Sequence, residues 1–122
     1  MTLKEIADEL VAGCREGREL ANLDRLYAPD AVSVEAMGFG GQDPESHGID
    51  AIKGKHAWWS GAFEVRGGDV VGPYLHGDDR FAVRFSMKTR DRATGEVTEG
   101  DEVAVYHVRD GRIVREEFFY AM

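Results

Sequence analysis

Apolar residues recur at helical spacing early in the chain and at strand spacing later. Leu3, Ile6, Ala7, Leu10, Val11 and Cys14 fall three and four apart, which makes one face of an amphipathic helix. Thr2 is placed to cap it and Gly17 to break it. Leu20, Leu23, Leu26 and Tyr27 predict a second, short helix that Pro29-Asp30 ends. Residues 31–36, AVSVEA, predict a strand. Residues 37–48 hold Gly38, Gly40, Gly41, Pro44 and Gly48, and predict a loop long enough to rim a pocket. A third helix follows over 49–60, with Ile49, Ile52, His56 and Trp59 on one face. Phe63 to Leu75 predicts a strand interrupted at Gly72-Pro73. Residues 80–90 then alternate strongly, Phe81, Val83, Phe85 and Met87 against Arg80, Ala82, Arg84, Ser86 and Lys88.

The last stretch predicts a β-hairpin. Two runs rich in β-branched and aromatic residues, Asp101–Val108 and Ile113–Tyr120, flank Arg109-Asp110-Gly111. Both a two-residue loop and a three-residue loop with Gly111 left-handed fit this spacing. With the longer loop Ala104 opposes Glu116. Glu102, Ala104, Tyr106, Glu116, Phe118 and Tyr120 then share one face, and Val103, Val105, His107, Ile113 and Phe119 share the other. Neither face is purely polar, so both are expected to be covered. Helices segregated before mostly antiparallel strands define an α+β architecture, helices packed on one face of a curved sheet.

Composition narrows the partners. The 122 residues form one expected domain, 1–122, with 43% hydrophobic and 31% charged residues. A net charge of −8 argues against nucleic acid. No apolar run approaches a membrane span, and the charged N-terminus is unlike a signal peptide, so a cytoplasmic protein is expected. Cys14, the single cysteine, continues the first helix's apolar stripe and reads as a buried structural thiol. The four histidines show no metal-ligand spacing and the glycines no phosphate-binding motif, so neither metal nor cofactor is expected.

Four stretches in order, NLDRLYAPDAVSVEA, HGIDAIKGKHAWW, GDDRFAVRFSMK and VAVYHVRDGRIVREEFFY, resemble the SnoaL-like branch of the nuclear transport factor 2-like superfamily. The resemblance implies a cone-shaped α+β barrel, cystatin-like in outline, with three helices against a curved sheet. It also implies an apolar pocket and homodimers formed through the sheet. Members include ketosteroid isomerases, polyketide cyclases and non-catalytic binding modules, so the fold alone assigns no chemistry. The isomerase's catalytic aspartate, oxyanion aspartic acid and oxyanion tyrosine align with Ala36, Ala104 and Val11. That mechanism is therefore not expected.

The remaining ionisable groups on the implied inner face are Glu102, Glu116 and His56. Two carboxyls in an apolar pocket would have raised pKa values, and an imidazole titrates near neutrality, so these three are the candidate acid–base residues. Pairing with Arg84, or a place at the rim, is the structural alternative for the carboxyls. A buried histidine satisfied by Tyr27 or by a backbone carbonyl is the alternative for His56. Tyr27, Trp59, Arg84, Tyr106, Phe118 and Tyr120 are the candidate pocket lining. Arg84 faces inward by the alignment but outward if Phe81, Val83 and Phe85 form the inner row. The expected ligand is a small apolar or polyketide-like molecule. The expected functions are cofactor-independent isomerisation, cyclisation or dehydration, ligand binding without turnover, or structural dimerisation.

Overall fold

The computed structural model describes residues 1–38 and 41–121. Helix α1 (Leu3–Glu16) begins with a reciprocal cap: the Thr2 hydroxyl accepts from Glu5 N–H at 3.2 Å, and the Glu5 carboxylate accepts from Thr2 N–H at 2.9 Å. It ends on Gly17 at φ 79°, a left-handed conformation that glycine adopts without a Cβ clash. Its apolar stripe is buried through Ile6, Ala7, Leu10 and Val11.

Helix α2 (Glu19–Leu26) stops before Pro29-Asp30, and strand β1 (Tyr27–Val34) starts there, four residues earlier than the strand expected at 31. Leu26 and Tyr27 are both buried, so the chain must turn inward at once. The Arg112 guanidinium donates to the carbonyl oxygens of Tyr27 (3.1 Å) and Asp24 (3.4 Å), which satisfies the helix end. Pro29 is tolerated because the β1 register slips between Tyr27 and Val32. The loop expected at 37–48 contains a short edge strand, β2 (Glu45–His47), antiparallel to β1; Gly40 of that stretch lies outside the described residues.

Helix α3 (Ile49–Ala62) leads into β3 (Phe63–His76), β4 (Arg80–Asp91), β5 (Val97–Arg109) and β6 (Arg112–Phe119). The six strands run in the order β2-β1-β6-β5-β4-β3. All neighbours are antiparallel except β1 and β6. The sheet is curled rather than closed, and the helices cover its concave side. The core there joins Ile6, Leu10, Leu23, Leu26, Ile52, Phe81, Val83, Ala104, Tyr106 and Ile113.

The final hairpin takes the two-residue turn. Arg109 pairs with Arg112, and Asp110 (φ 52°) and Gly111 (φ 74°) both adopt positive φ. One residue further on, Val108 pairs with Ile113 but His107 pairs with Arg115, so Val114 is an extra, bulged residue. The bulge corrects the expected faces at one point. Ile113 joins Val108 on the concave side and is fully buried, rather than sharing the convex face with Val103 and Phe119. After the bulge Tyr106 opposes Glu116 and Ala104 opposes Phe118, and the remaining faces are as expected.

Candidate functional site

Strand register arranges the concave face in rows. Ser33 pairs with Glu116, Glu116 with Tyr106, and Tyr106 with Phe81, so these four side chains lie side by side across β1, β6, β5 and β4. The next row holds Phe118, Ala104 and Val83. The row beyond pairs Glu102 with Phe85, and Phe85 with Val70 of β3. Alternation along β1 carries Glu35, one residue past the strand end, to the same side as Ala31 and Ser33.

Glu116 is the deepest ionisable group of this face, 2% exposed. One carboxylate oxygen accepts from the Tyr27 hydroxyl at 2.5 Å, and the other has no hydrogen-bond partner among the described residues. Tyr27 therefore serves Glu116 and not His56. Burial, with the Glu116 carboxylate beside it, raises the Tyr27 phenol well above its usual value, so it stays a donor. Tyr106 is buried against Phe81, rings stacked at 4.8 Å, and its phenol is likewise held neutral by burial.

Glu102 is half-buried. Burial first, then the Glu35 carboxylate, push its carboxyl up to about 7, with the Lys55 charge opposing. Glu35 is raised for the same leading reason, and its second oxygen lacks a hydrogen-bond partner among the described residues. Lys55 reaches in from α3. Its ammonium donates to the Ser33 hydroxyl, lies 3.6 Å from Glu35 and sits 4.9 Å over the Phe118 ring. The carboxyls of Glu35, Glu102 and Glu116, the Lys55 ammonium and the phenols of Tyr27 and Tyr106 thus share one concave wall.

His56 is half-buried on the neighbouring α3 position. Burial lowers its pKa and Glu116 opposes this, so the imidazole is neutral near pH 7. It lines a groove of about 570 Å³ between α2 and α3, with Leu20, Ala21, Ala57 and Ser60, spanned by the Asp24–Lys53 ion pair at 2.8 Å. A second groove of about 390 Å³ lies on the other side of α3, between Lys55, Trp58 and the β2 segment. Glu102 and Glu116 line neither groove.

Of the expected lining, Tyr27, Tyr106, Phe118 and Tyr120 lie on or beside the concave rows. Trp59 instead packs on Phe63, centroids 5.6 Å apart, at the end of α3. Arg84 is excluded from the lining: it pairs with Val103 and is exposed on the convex face, because strand alternation turns it away from the buried Phe81 and Val83. Ala104 and Val11 are fully packed core residues, whereas Ala36 is exposed.

Ser33, Glu35 and Lys55 were not singled out by the sequence pattern. The inward parity of Ala31, Ser33 and Glu35 was available in the alternation of AVSVEA. One of two lysines on α3, Lys53 and Lys55, carries no such signal.

Among the described residues no group of His, Cys, Asp and Glu is arranged to hold a metal ion, and no helix is long and apolar enough to cross a membrane. Cys14 is partly buried, and burial pushes its thiol up to about 12, so it is a packing residue rather than a nucleophile.

A six-stranded curled sheet with three helices on its concave face is the NTF2-like, cystatin-like architecture. The chain belongs to the SnoaL-like domain family, which it matches over residues 1–120. A crystal structure from Mesorhizobium loti, provisionally described as a SnoaL-like polyketide cyclase [carbohydrate phosphatase], is 40% identical with a TM-score of 0.90, covering 98% of this chain and 100% of that one. An NTF2-like protein from Burkholderia thailandensis E264 shares the fold at 20% identity and a TM-score of 0.83, over 98% of this chain and 90% of that one. TerC, co-crystallised with polyporic acid, shares it at 23% identity and a TM-score of 0.69, over 91% and 85%. No curated protein sequence matches the chain.

Proposed function

We propose that the concave face binds a small, largely apolar, cyclic or polyketide-like molecule and moves a proton on it without a cofactor. Glu102 and Glu116 are the acid–base pair, with His56 as an auxiliary group on the α2–α3 side. The observation that carries this reading is Glu116 itself: a carboxyl sealed in an aromatic wall, hydrogen-bonded on one oxygen and open on the other. Structural carboxyls at such depth are normally satisfied on both oxygens. Glu102, raised to about 7, is nearly half protonated at neutral pH, which suits general acid–base work. The polyketide cyclase description of the 40%-identical relative supports the ligand class.

A neutral fused-ring ketone tests it. In D2O the benzylic C–H of 2-tetralone exchanges on loss of one proton, which proton NMR follows. The protein is expected to accelerate exchange, and Glu102→Gln or Glu116→Gln to reduce that acceleration about 100-fold or more. Exchange no faster than in buffer, or unchanged in both variants, would remove the catalytic reading. A second reading, binding without turnover, draws on the apolar Ala104 and Val11 and predicts saturable binding with no exchange.

The same reading includes a homodimer formed across the convex face. There Tyr74, Val103 and Phe119 are 58%, 39% and 51% exposed, an apolar patch of the kind that marks an interface. Sedimentation at micromolar concentration should give a dimer, and Val103→Lys with Phe119→Lys a monomer. A monomeric wild type would sink the expectation.

A further inference from the structure

Arg84 is a cation without a counter-ion. It stands exposed on the convex face and makes no hydrogen bond or ion pair among the described residues. Its row across the strands is otherwise apolar: Val71 on β3, Val103 on β5 and Phe119 on β6. The adjacent row places Tyr74, Ala82, Val105 and Glu117 on β3, β4, β5 and β6. The Glu117 carboxylate lies 3.7 Å from Arg115, past hydrogen-bond length, so it keeps lone pairs for a second cation. Strand and row spacing put Arg84 and Glu117 about 12 Å apart, and they do not pair within the chain.

A two-fold axis crossing β5 at Ala104 brings these two groups together between copies. Arg84 pairs with Val103 and Glu117 sits opposite Val105, so each lies one strand and one residue from Ala104, on opposite sides. The axis therefore exchanges their positions. Arg84 lands on the partner subunit's Glu117, and Glu117 on the partner subunit's Arg84. The same operation lays Val105 over the partner subunit's Val103 and the exposed Phe119 ring over the partner subunit's small Ala82. Packed sheets are rotated by about 30°. Arg84 and Glu117 lie only about 6 Å from the axis, so that rotation displaces them by about 3 Å, within reach of an arginine side chain. Each chain carries a net charge of −8, so two copies repel at a distance, and a face that meets itself must supply local complementarity. We infer that the convex faces of two copies pair about Ala104, with Arg84 of each held by Glu117 of the partner subunit in two equivalent ion pairs. The inference rests on the homodimer proposed above and adds its register and the residues that set partner choice. Valine contacts alone would allow the two sheets to slide; the paired charges penalise every other alignment.

The test uses two single variants of the full chain, Arg84→Glu and Glu117→Arg. A homodimer of either sets like charges against each other twice. Its dissociation constant in sedimentation is expected to rise about 100-fold or more over the wild type. Mixing the two variants restores both opposite-charge pairs. A heterodimer is then expected within about tenfold of wild-type affinity, and native mass spectrometry distinguishes its mass from that of either homodimer. Arg84→Glu combined with Glu117→Arg on one chain is expected to self-associate and to reject the wild type. Thermal melts establish that each variant folds. Wild-type-like dimers of either single variant, or no heterodimer on mixing the folded variants, would overturn the register and leave the homodimer standing. A monomeric wild type would remove the homodimer and this inference with it.

Discussion

Replacing Phe81 by alanine is expected to destabilise the protein by about 3–5 kcal/mol. Phe81 is fully buried, the largest side chain that is. Its ring lies flat against Tyr106, which in turn adjoins Glu116 in the same row. The cavity left by truncation cannot be filled from the sheet, because the neighbouring inward positions are occupied by Val83 and Ala104 on fixed backbones. Domains of this size have only about 5–15 kcal/mol of stability, so a fifth or more would go. Urea denaturation should show the midpoint fall with the slope unchanged. Phe81→Leu, which keeps most of the volume, should cost about 1.5 kcal/mol or less. A loss under 1 kcal/mol for Phe81→Ala would mean that the concave core is loosely filled and that Tyr106 has no fixed support.

Glu102→Gln is expected to stabilise the protein at pH 8 and to change little near pH 4.5. Burial and the Glu35 carboxylate hold the folded carboxyl at about 7, whereas in the unfolded chain it ionises near its ordinary value. Between those two values the folded state binds more protons than the unfolded state, so stability falls as pH rises through that window and the penalty is complete above it. Glutamine cannot ionise and removes the penalty, a gain of about 1–2 kcal/mol at pH 8 after allowance for partial exposure. His56 works in the opposite direction, since its lowered pKa takes stability away as pH falls. The difference between wild type and Glu102→Gln isolates the Glu102 contribution. A flat difference from pH 4.5 to 8 would show that Glu102 is solvated. Together with loss of exchange in the same variant, a stabilised but inactive protein would mark the carboxyl as kept for chemistry at a cost to the fold.

The three helices and the late strands were legible because their periods are long and clean: the stripe from Leu3 to Cys14, and the alternation from Arg80 to Lys88. The start of β1 was not, since Pro29-Asp30 looks like punctuation and only the bulge opposite β6 lets a strand run through it. The hairpin shows the limit of pattern reading. The slipped register with a three-residue loop keeps Glu116, Phe118 and Tyr120 inward, as does the true one. The facing of the side chains differs only at Arg112, Ile113 and Val114, where the slipped register would bury Arg112 and expose Ile113, but the cross-strand partners shift by two throughout: Glu116 lies opposite Tyr106, not opposite Ala104 as expected. The candidate site was half legible for a related reason. Glu102 and Glu116 follow from strand parity, while Lys55 becomes meaningful only once α3 is laid over Ser33 and Phe118.

Helix α3 separates the two grooves and carries Lys55 and His56 on consecutive positions, yet it is the least anchored helix of the three. It buries Ile52 alone, against Ile6, Ala7, Leu10, Val11 and Gly13 in α1, and it has no side-chain N-cap. Gly54 and Gly61 interrupt it although a Cβ at either would meet nothing within 4 Å. Local opening free energy follows such anchoring, so backbone amides of α3 should exchange with deuterium faster than those of α1. Gly54→Ala and Gly61→Ala should each add about 0.5–1 kcal/mol and slow that exchange. On the proposed function, opening of α3 is the route by which a ligand would reach the sealed Glu116, and stiffening the helix with Gly54→Ala and Gly61→Ala should slow ligand capture and release before it alters affinity.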